Sequence, residues 1–133
     1  MSERIEGRGE ELLSGKNFAN VSTLRSDGSV LSAPVWVDVQ DGKPVLNTAE
    51  GRAWPRNLER DPRITLTVQN MENPYEYVEV RGRVADRTHD GADAHIDAMA
   101  KKYLDADAYP YRQPGEQRVI IRVEPEHVHL KGG

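Results

Sequence analysis

Residues 47–63, NTAEGRAWPRNLERDPR, carry the strongest chemical signal in this sequence, because they hold Arg52, Arg56, Arg60 and Arg63. A guanidinium presents a planar fork of N–H donors that matches phosphate or carboxylate oxygens, so arginines gathered in one segment suit an anionic ligand. The signal stands out because the chain as a whole is acidic, with a formal net charge of -4. Pro55 suits a first helical turn and not a helix interior, and Asp61 before Pro62 ends a helix because the residue preceding proline avoids the α region. A short helix from Pro55 to about Arg60 is therefore predicted. Arg52 then lies in the approach loop and Arg56 in the first turn, with unpaired N–H groups aimed above residues 51–54. Asn47 and Thr48, closing the preceding strand, and Asn57 in the helix can add neutral hydrogen bonds. The competing reading makes these arginines solvated charges paired with Glu50, Glu59 and Asp61, and Arg60 and Arg63 fit that reading best.

A second candidate surface is Pro34-Val35-Trp36. Trp36 in a strand belongs either to core or to the wall of a slot for a flat aromatic ligand. Pro34 lacks an N–H, so a kink there leaves neighbouring backbone groups free for a ring with amide edges. No residue declares itself a catalytic acid. The chain has no Cys, which removes disulfides, thiolate metal sites and a Cys nucleophile. His89, His95, His127 and His129 form no H-E-x-x-H pattern, and His127 with His129 fits an exposed strand end, so no metal is expected. The acidic balance argues against a broad nucleic-acid surface. Neither a signal peptide nor a long apolar span is evident, so the expectation is no membrane association and a cytoplasmic location.

The elements that must position these residues are mostly strands. Alternating apolar and polar residues predict strands at 18–24, 30–39, 44–48, 64–68, 75–85 and 118–123, the last extending toward Leu130. Hairpin turns fall at 26–29 and 40–43, so the first three strands read as a meander. Pro34 demands an edge position or a bulge, and Gly82 marks a bulge or a close backbone approach. Helices are predicted at 3–13 and 90–104 beside the short one, followed by a loop over 105–115. Hairpins without βαβ alternation indicate a mainly β, antiparallel barrel with peripheral helices, in a single domain over residues 1–133.

Phe18 to Leu24, Asp27-Gly28, Ala33-Pro34-Val35-Trp36, Asn47-Thr48-Ala-x-Gly51-Arg52 and Arg56-Asn57-Leu58-x-x-Asp61-Pro62-Arg63 stand in a familiar order. Glu79-Val-Arg-Gly82 and Tyr103 with Tyr109-Pro110 continue it. Through these residues the chain resembles the pyridoxamine 5′-phosphate oxidase-like split β-barrel flavoproteins, and among them the coenzyme F420-dependent reductases. The resemblance covers nearly the whole chain, and residues 51–63 are its most specific part. It implies a homodimer with cofactor sites at the subunit interface. It also implies hydride transfer from reduced F420 to an enone- or quinone-type acceptor. Carried over by position, Asn47, Thr48, Gly51, Arg52, Arg56 and Asn57 meet the phosphate and tail, and Pro34, Val35 and Trp36 meet the ring. Tyr77, Tyr109 or Tyr111 of a second subunit would complete the pocket. Many relatives carry a Lys two positions after the first Arg of the block, where this chain has Trp54. That departure removes a charge beside the phosphate, disfavours FMN, and makes Trp54 a candidate to stack on the cofactor or close the substrate pocket. An FMN-binding oxidoreductase and a non-catalytic F420-sequestering protein remain alternatives, because the site and not the barrel sets the chemistry.

Overall fold

The computed structural model describes residues 3–132. Its elements are α1 (Gly7–Ser14), β1 (Ala19–Leu24), β2 (Val30–Val35), β3 (Asp38–Gln40), β4 (Lys43–Ala49), α2 (Ala53–Arg60), β5 (Arg63–Asn70), β6 (Asn73–Thr88), α3 (Ala92–Leu104) and β7 (Arg118–Lys131). The strands form one antiparallel seven-stranded sheet in the order β2-β1-β5-β6-β7-β4-β3. No helix among the described residues is long and apolar enough to cross a membrane.

The order of strands corrects the expected meander. The run 30–39 is not one strand: β2 pairs with β1, β3 pairs with β4, and Trp36 and Val37 lie between them. β2 and β3 are therefore the two edges of the sheet, joined by a two-residue link. The sheet is not closed by a ladder between these edges, as in a split barrel. Pro34 occupies the edge strand that its missing N–H requires. At Gly82 the register shifts, and a Cβ would strike the Glu124 carbonyl, so the expected bulge and the close approach coincide there.

Val21, Leu46, Leu66, Val80, Ile121 and Val123 point into the barrel and form its core together with Leu12 and Leu13 of α1 and Trp54 and Leu58 of α2. Period-two alternation sends the intervening residues of β4 and β7 to the outer face. There Val45 and Ile120 pack under Ala92 at the start of α3. This layer of α3 over the outer face of β4 and β7 positions the site.

The C-terminal end of α3 pins the link between the two edges. Val37 N–H donates to the Tyr103 hydroxyl (3.0 Å), which donates in turn to the Asn17 carbonyl (2.6 Å). Lys102 Nζ donates to the carbonyls of Leu13 (2.9 Å) and Val37 (2.6 Å). Burial pushes the Tyr103 phenol up to about 12 and the Lys102 ammonium down to about 8.

Candidate functional site

A cavity of about 430 Å³ opens between the edge of the sheet, α3 and the segment 105–117, within the size range of small-molecule sites. One end is apolar. Phe18, Pro34, Val35 and Trp36 border it, and Ile96 of α3 lies beneath. The aromatic rings form a continuous series. Phe18 stacks on Tyr103 at 5.6 Å, Tyr103 on Trp36 at 5.0 Å, and Trp36 meets Tyr109 edge-on at 5.9 Å. Tyr109 then meets Tyr111 edge-on at 5.7 Å. Such offset and edge contacts fix ring planes, so this end presents a rigid wall for a flat body.

The other end is polar and is bordered by Asn47, Thr48, Arg52 and Arg118. Arg118 opens β7, and its side chain is only 2% exposed. Its Nε donates to Asn47 Oδ1 at 3.0 Å, and Nη1 donates to Glu116 Oε1 at 2.8 Å. The Asn47 amide is thereby oriented. Its Nδ2 donates to the Ala92 carbonyl at 2.9 Å and to His95 Nδ1 at 3.0 Å. His95 Nε2 lies 3.6 Å from Asp38 Oδ2. The Asp38 carboxyl is held below the usual carboxylate range, chiefly by that His95 contact. A buried polar line thus runs from Arg118 through Asn47 and His95 toward Asp38 at the other edge of the sheet.

The cavity gathers six of the residues expected from the sequence: Pro34, Val35, Trp36, Asn47, Thr48 and Arg52. Asn47 spends its whole amide on Arg118, Ala92 and His95. Thr48 is fully buried, and its Oγ1 has no hydrogen-bond partner among the described residues. Arg52 is half exposed and lies 3.7 Å from Glu116.

The remaining expected residues lie elsewhere. Gly51 serves the turn before α2, where its φ of 93° is open to glycine and strained for other residues. α2 begins at Ala53, two residues before the expected start, so Pro55 falls in its third position and the first-turn N–H groups belong to Ala53 and Trp54. Trp54 corrects the expectation of a ring facing the ligand. It is 6% exposed and packs in the barrel core. Trp54, Pro55 and Leu58 form the inward face of this short helix, so the ring turns away from the surface that carries Arg56. Arg56 and Asn57 border a separate shallow recess with Ala53, Glu59 and Arg60. Asn57 Nδ2 donates to Thr23 Oγ1 at 3.1 Å, and Arg60 donates to the Leu24 carbonyl. Arg63 pairs with Asp61 at 2.7 Å. Arg63 pairs with Asp61 as the competing reading held, Arg60 donates instead to the Leu24 carbonyl, and neither Arg60 nor Arg56 has an ion-pair partner among the described residues.

Sequence reasoning missed Arg118 and the role of the segment 105–117. Tyr109 and Tyr111 reach the cavity of their own chain from this segment. Arg112 straps it to α3, donating to Asp93 (2.9 Å) and Asp97 (2.8 Å), and Tyr109 N–H donates to Asp97 as well (2.8 Å). Tyr77 is not at the cavity of its own chain; it lies on β6 beside His129. Arg118 at the head of an apolar strand was the available signal, since a charge there is either exposed or held for a purpose.

The model of the pyridoxamine 5′-phosphate oxidase family matches residues 5–132. No curated protein matches the chain. Among solved structures the chain is similar to an F420 reductase, at 27% identity and a TM-score of 0.81, over 94% of this chain and 98% of that one. It is also similar to Atu2129 of Agrobacterium tumefaciens, of unknown function, at 23% identity and a TM-score of 0.75, over 94% of this chain and 55% of that one. A heme binding protein from Mycobacterium smegmatis shares 20% identity with a TM-score of 0.68, over 96% of this chain and 55% of that one. At these last two identities the likeness is one of fold alone.

Proposed function

The chain belongs to the pyridoxamine 5′-phosphate oxidase family, and on that footing we propose that it is an F420-dependent reductase acting on a conjugated small-molecule acceptor of enone or quinone type. One observation carries the reading: Pro34, Val35 and Trp36 share a cavity with Arg52. The sequence separates these residues, and the resemblance gives them to the two ends of one cofactor. Likeness over nearly the full length of an F420 reductase supports it.

The residues present fit such a group. The aromatic end suits a flat ring, the edge strand β2 leaves backbone groups outside the ladder, Arg52 supplies positive charge at the cavity, and Arg56 supplies more in the recess on α2. Trp54 in the core leaves no lysine beside Arg52, so charge is spread along α2 and not concentrated. That distribution suits an extended anionic tail better than the compact phosphate of FMN. When bound, reduced F420 would supply the hydride. The chain's own residues orient and shield: Trp36 and Tyr109 set the plane, Arg52 and Arg56 hold the anionic part, and the segment 105–117 limits water. Phe18 and Tyr111 at the cavity remain 44% and 60% exposed. Such apolar exposure supports a homodimer in which a second copy covers this side.

Titration of the purified protein with F420 and with FMN, followed by cofactor fluorescence, tests the reading. F420 should bind far more tightly than FMN. Tight FMN binding with F420 inert would refute it.

A further inference from the structure

We infer that Arg118, with Arg52 beside it, forms a subsite for an ionised oxygen, such as a carboxylate, on the edge of a flat ligand in the cavity, and that Glu116 is the resident counter-ion with which that oxygen competes. The inference rests on the cavity being the ligand site, but not on which cofactor fills it.

Three observations carry it. First, one carboxylate faces two cations, a buried Arg118 and a half-exposed Arg52 at the mouth of the cavity. Glu116 Oε1 lies 2.8 Å from Arg118 Nη1 and 3.7 Å from Arg52 Nη2, so one carboxylate serves two guanidinium groups. The side chains of Arg118 and Glu116 are 2% and 6% exposed, and a buried cation is tolerated only when it is matched. Among the described residues no acidic side chain lines the cavity, so an anion entering it meets these two cations without a repelling neighbour on the wall. Second, Arg118 is held in a fixed pose. Asn47 Oδ1 accepts from its Nε, Glu116 accepts from Nη1, and the Tyr109 ring covers the guanidinium at 5.0 Å. Nη2 has no protein acceptor among the described residues. A pre-oriented donor costs little reorganisation when an acceptor arrives. Third, the same Tyr109 that covers Arg118 also meets Trp36. The flat wall and the charged end are therefore continuous, and a ligand lying on the wall brings its edge to Arg118. A pair present only to stabilise the fold would require neither the second arginine nor an opening to the cavity.

The chemistry can be read with two probes that differ in one group, 2-naphthoate and 2-naphthamide. Binding is followed by quenching of tryptophan fluorescence, with Trp36→Phe as the control that reports the cavity. The wild-type protein should bind the naphthoate at least tenfold more tightly than the naphthamide. Glu116→Gln removes the competing carboxylate and should widen that preference at least threefold. The triple variant Arg52→Met/Glu116→Gln/Arg118→Met removes both cations and their shared carboxylate together, so no buried charge is left unmatched. It should retain the naphthamide affinity within twofold and lose the preference, with thermal unfolding confirming a folded protein. Equal affinity for the two probes in the wild type, or a preference that survives in the triple variant, would overturn the subsite. F420 failing to bind while the naphthoate preference persists would refute the cofactor assignment and leave the subsite standing. F420 binding without a naphthoate preference would do the reverse.

Discussion

Replacing Asn47 with Ala should unfold the polar end of the site before it affects any ligand directly. Asn47 is 8% exposed and makes three hydrogen bonds, to Arg118 Nε, the Ala92 carbonyl and His95 Nδ1. The bond to Arg118 is charge-assisted and is worth about 1.5–3 kcal/mol, and each neutral bond contributes about 0.5–1.5 kcal/mol. The sum is roughly 2.5–6 kcal/mol, most of it from leaving buried groups without partners. Against a total stability of about 5–15 kcal/mol, that is a large fraction. Urea unfolding of the wild type and Asn47→Ala measures it as a lower midpoint with little change in slope. Asn47→Asp is the informative companion. It keeps an acceptor toward Arg118 but turns the donor that faces the Ala92 carbonyl into an acceptor, so its loss should be intermediate. If Asn47→Ala keeps its stability within about 1 kcal/mol, near the worth of a single neutral bond, and yet loses F420 affinity, Asn47 is a ligand contact and the bracing role is wrong.

Other outcomes follow from the same geometry. Trp54→Ala should cost about 3–5 kcal/mol of stability, as for other buried aromatics, and leave the F420 affinity of the folded protein unchanged; a selective loss of affinity would return Trp54 to the ligand. Arg56→Ala should weaken F420 binding by about 1.5–3 kcal/mol in equilibrium titration, without altering stability. The unfolded chain keeps the Lys102 proton up to 10.5 whereas the folded chain releases it at about 8, so stability should rise with pH across that window. Tyr103 acts in the opposite sense: its phenol ionises at about 12 when folded and 10.0 when unfolded, so stability should fall as pH climbs between these values. Chemical denaturation across pH should lose the rise in Lys102→Met and the fall in Tyr103→Phe.

The strands were legible because their alternation is a local property: the Thr and Ile/Leu/Val positions of β5 stand out in the sequence as they do in the sheet. The break at Trp36 and Val37 was not, because it is made by Tyr103 and Lys102 reaching across from α3. Pro34 and Gly82 could be read correctly because each acts through its own backbone. In the candidate site, Arg52 and the Pro34 to Trp36 run were visible as residue types in sequence clusters. Arg118 was hidden because its meaning depends on Asn47 and Glu116, and pairing between β4 and β7 is what brings the first of these to it. Trp54 was misplaced for a related reason. A family position fixes where a Cα lies, whereas the inward face of α2 decides where the ring goes.

Oxidation of reduced F420 by menadione and by a small set of enones, recorded with and without the protein, tests the central claim most directly. Oxidation should depend on the protein, saturate with F420, and weaken in Arg56→Ala through the apparent F420 affinity. Tight binding of reduced F420 with no acceptor oxidising it faster than in buffer alone would contradict a reductase and leave a protein that only holds the cofactor.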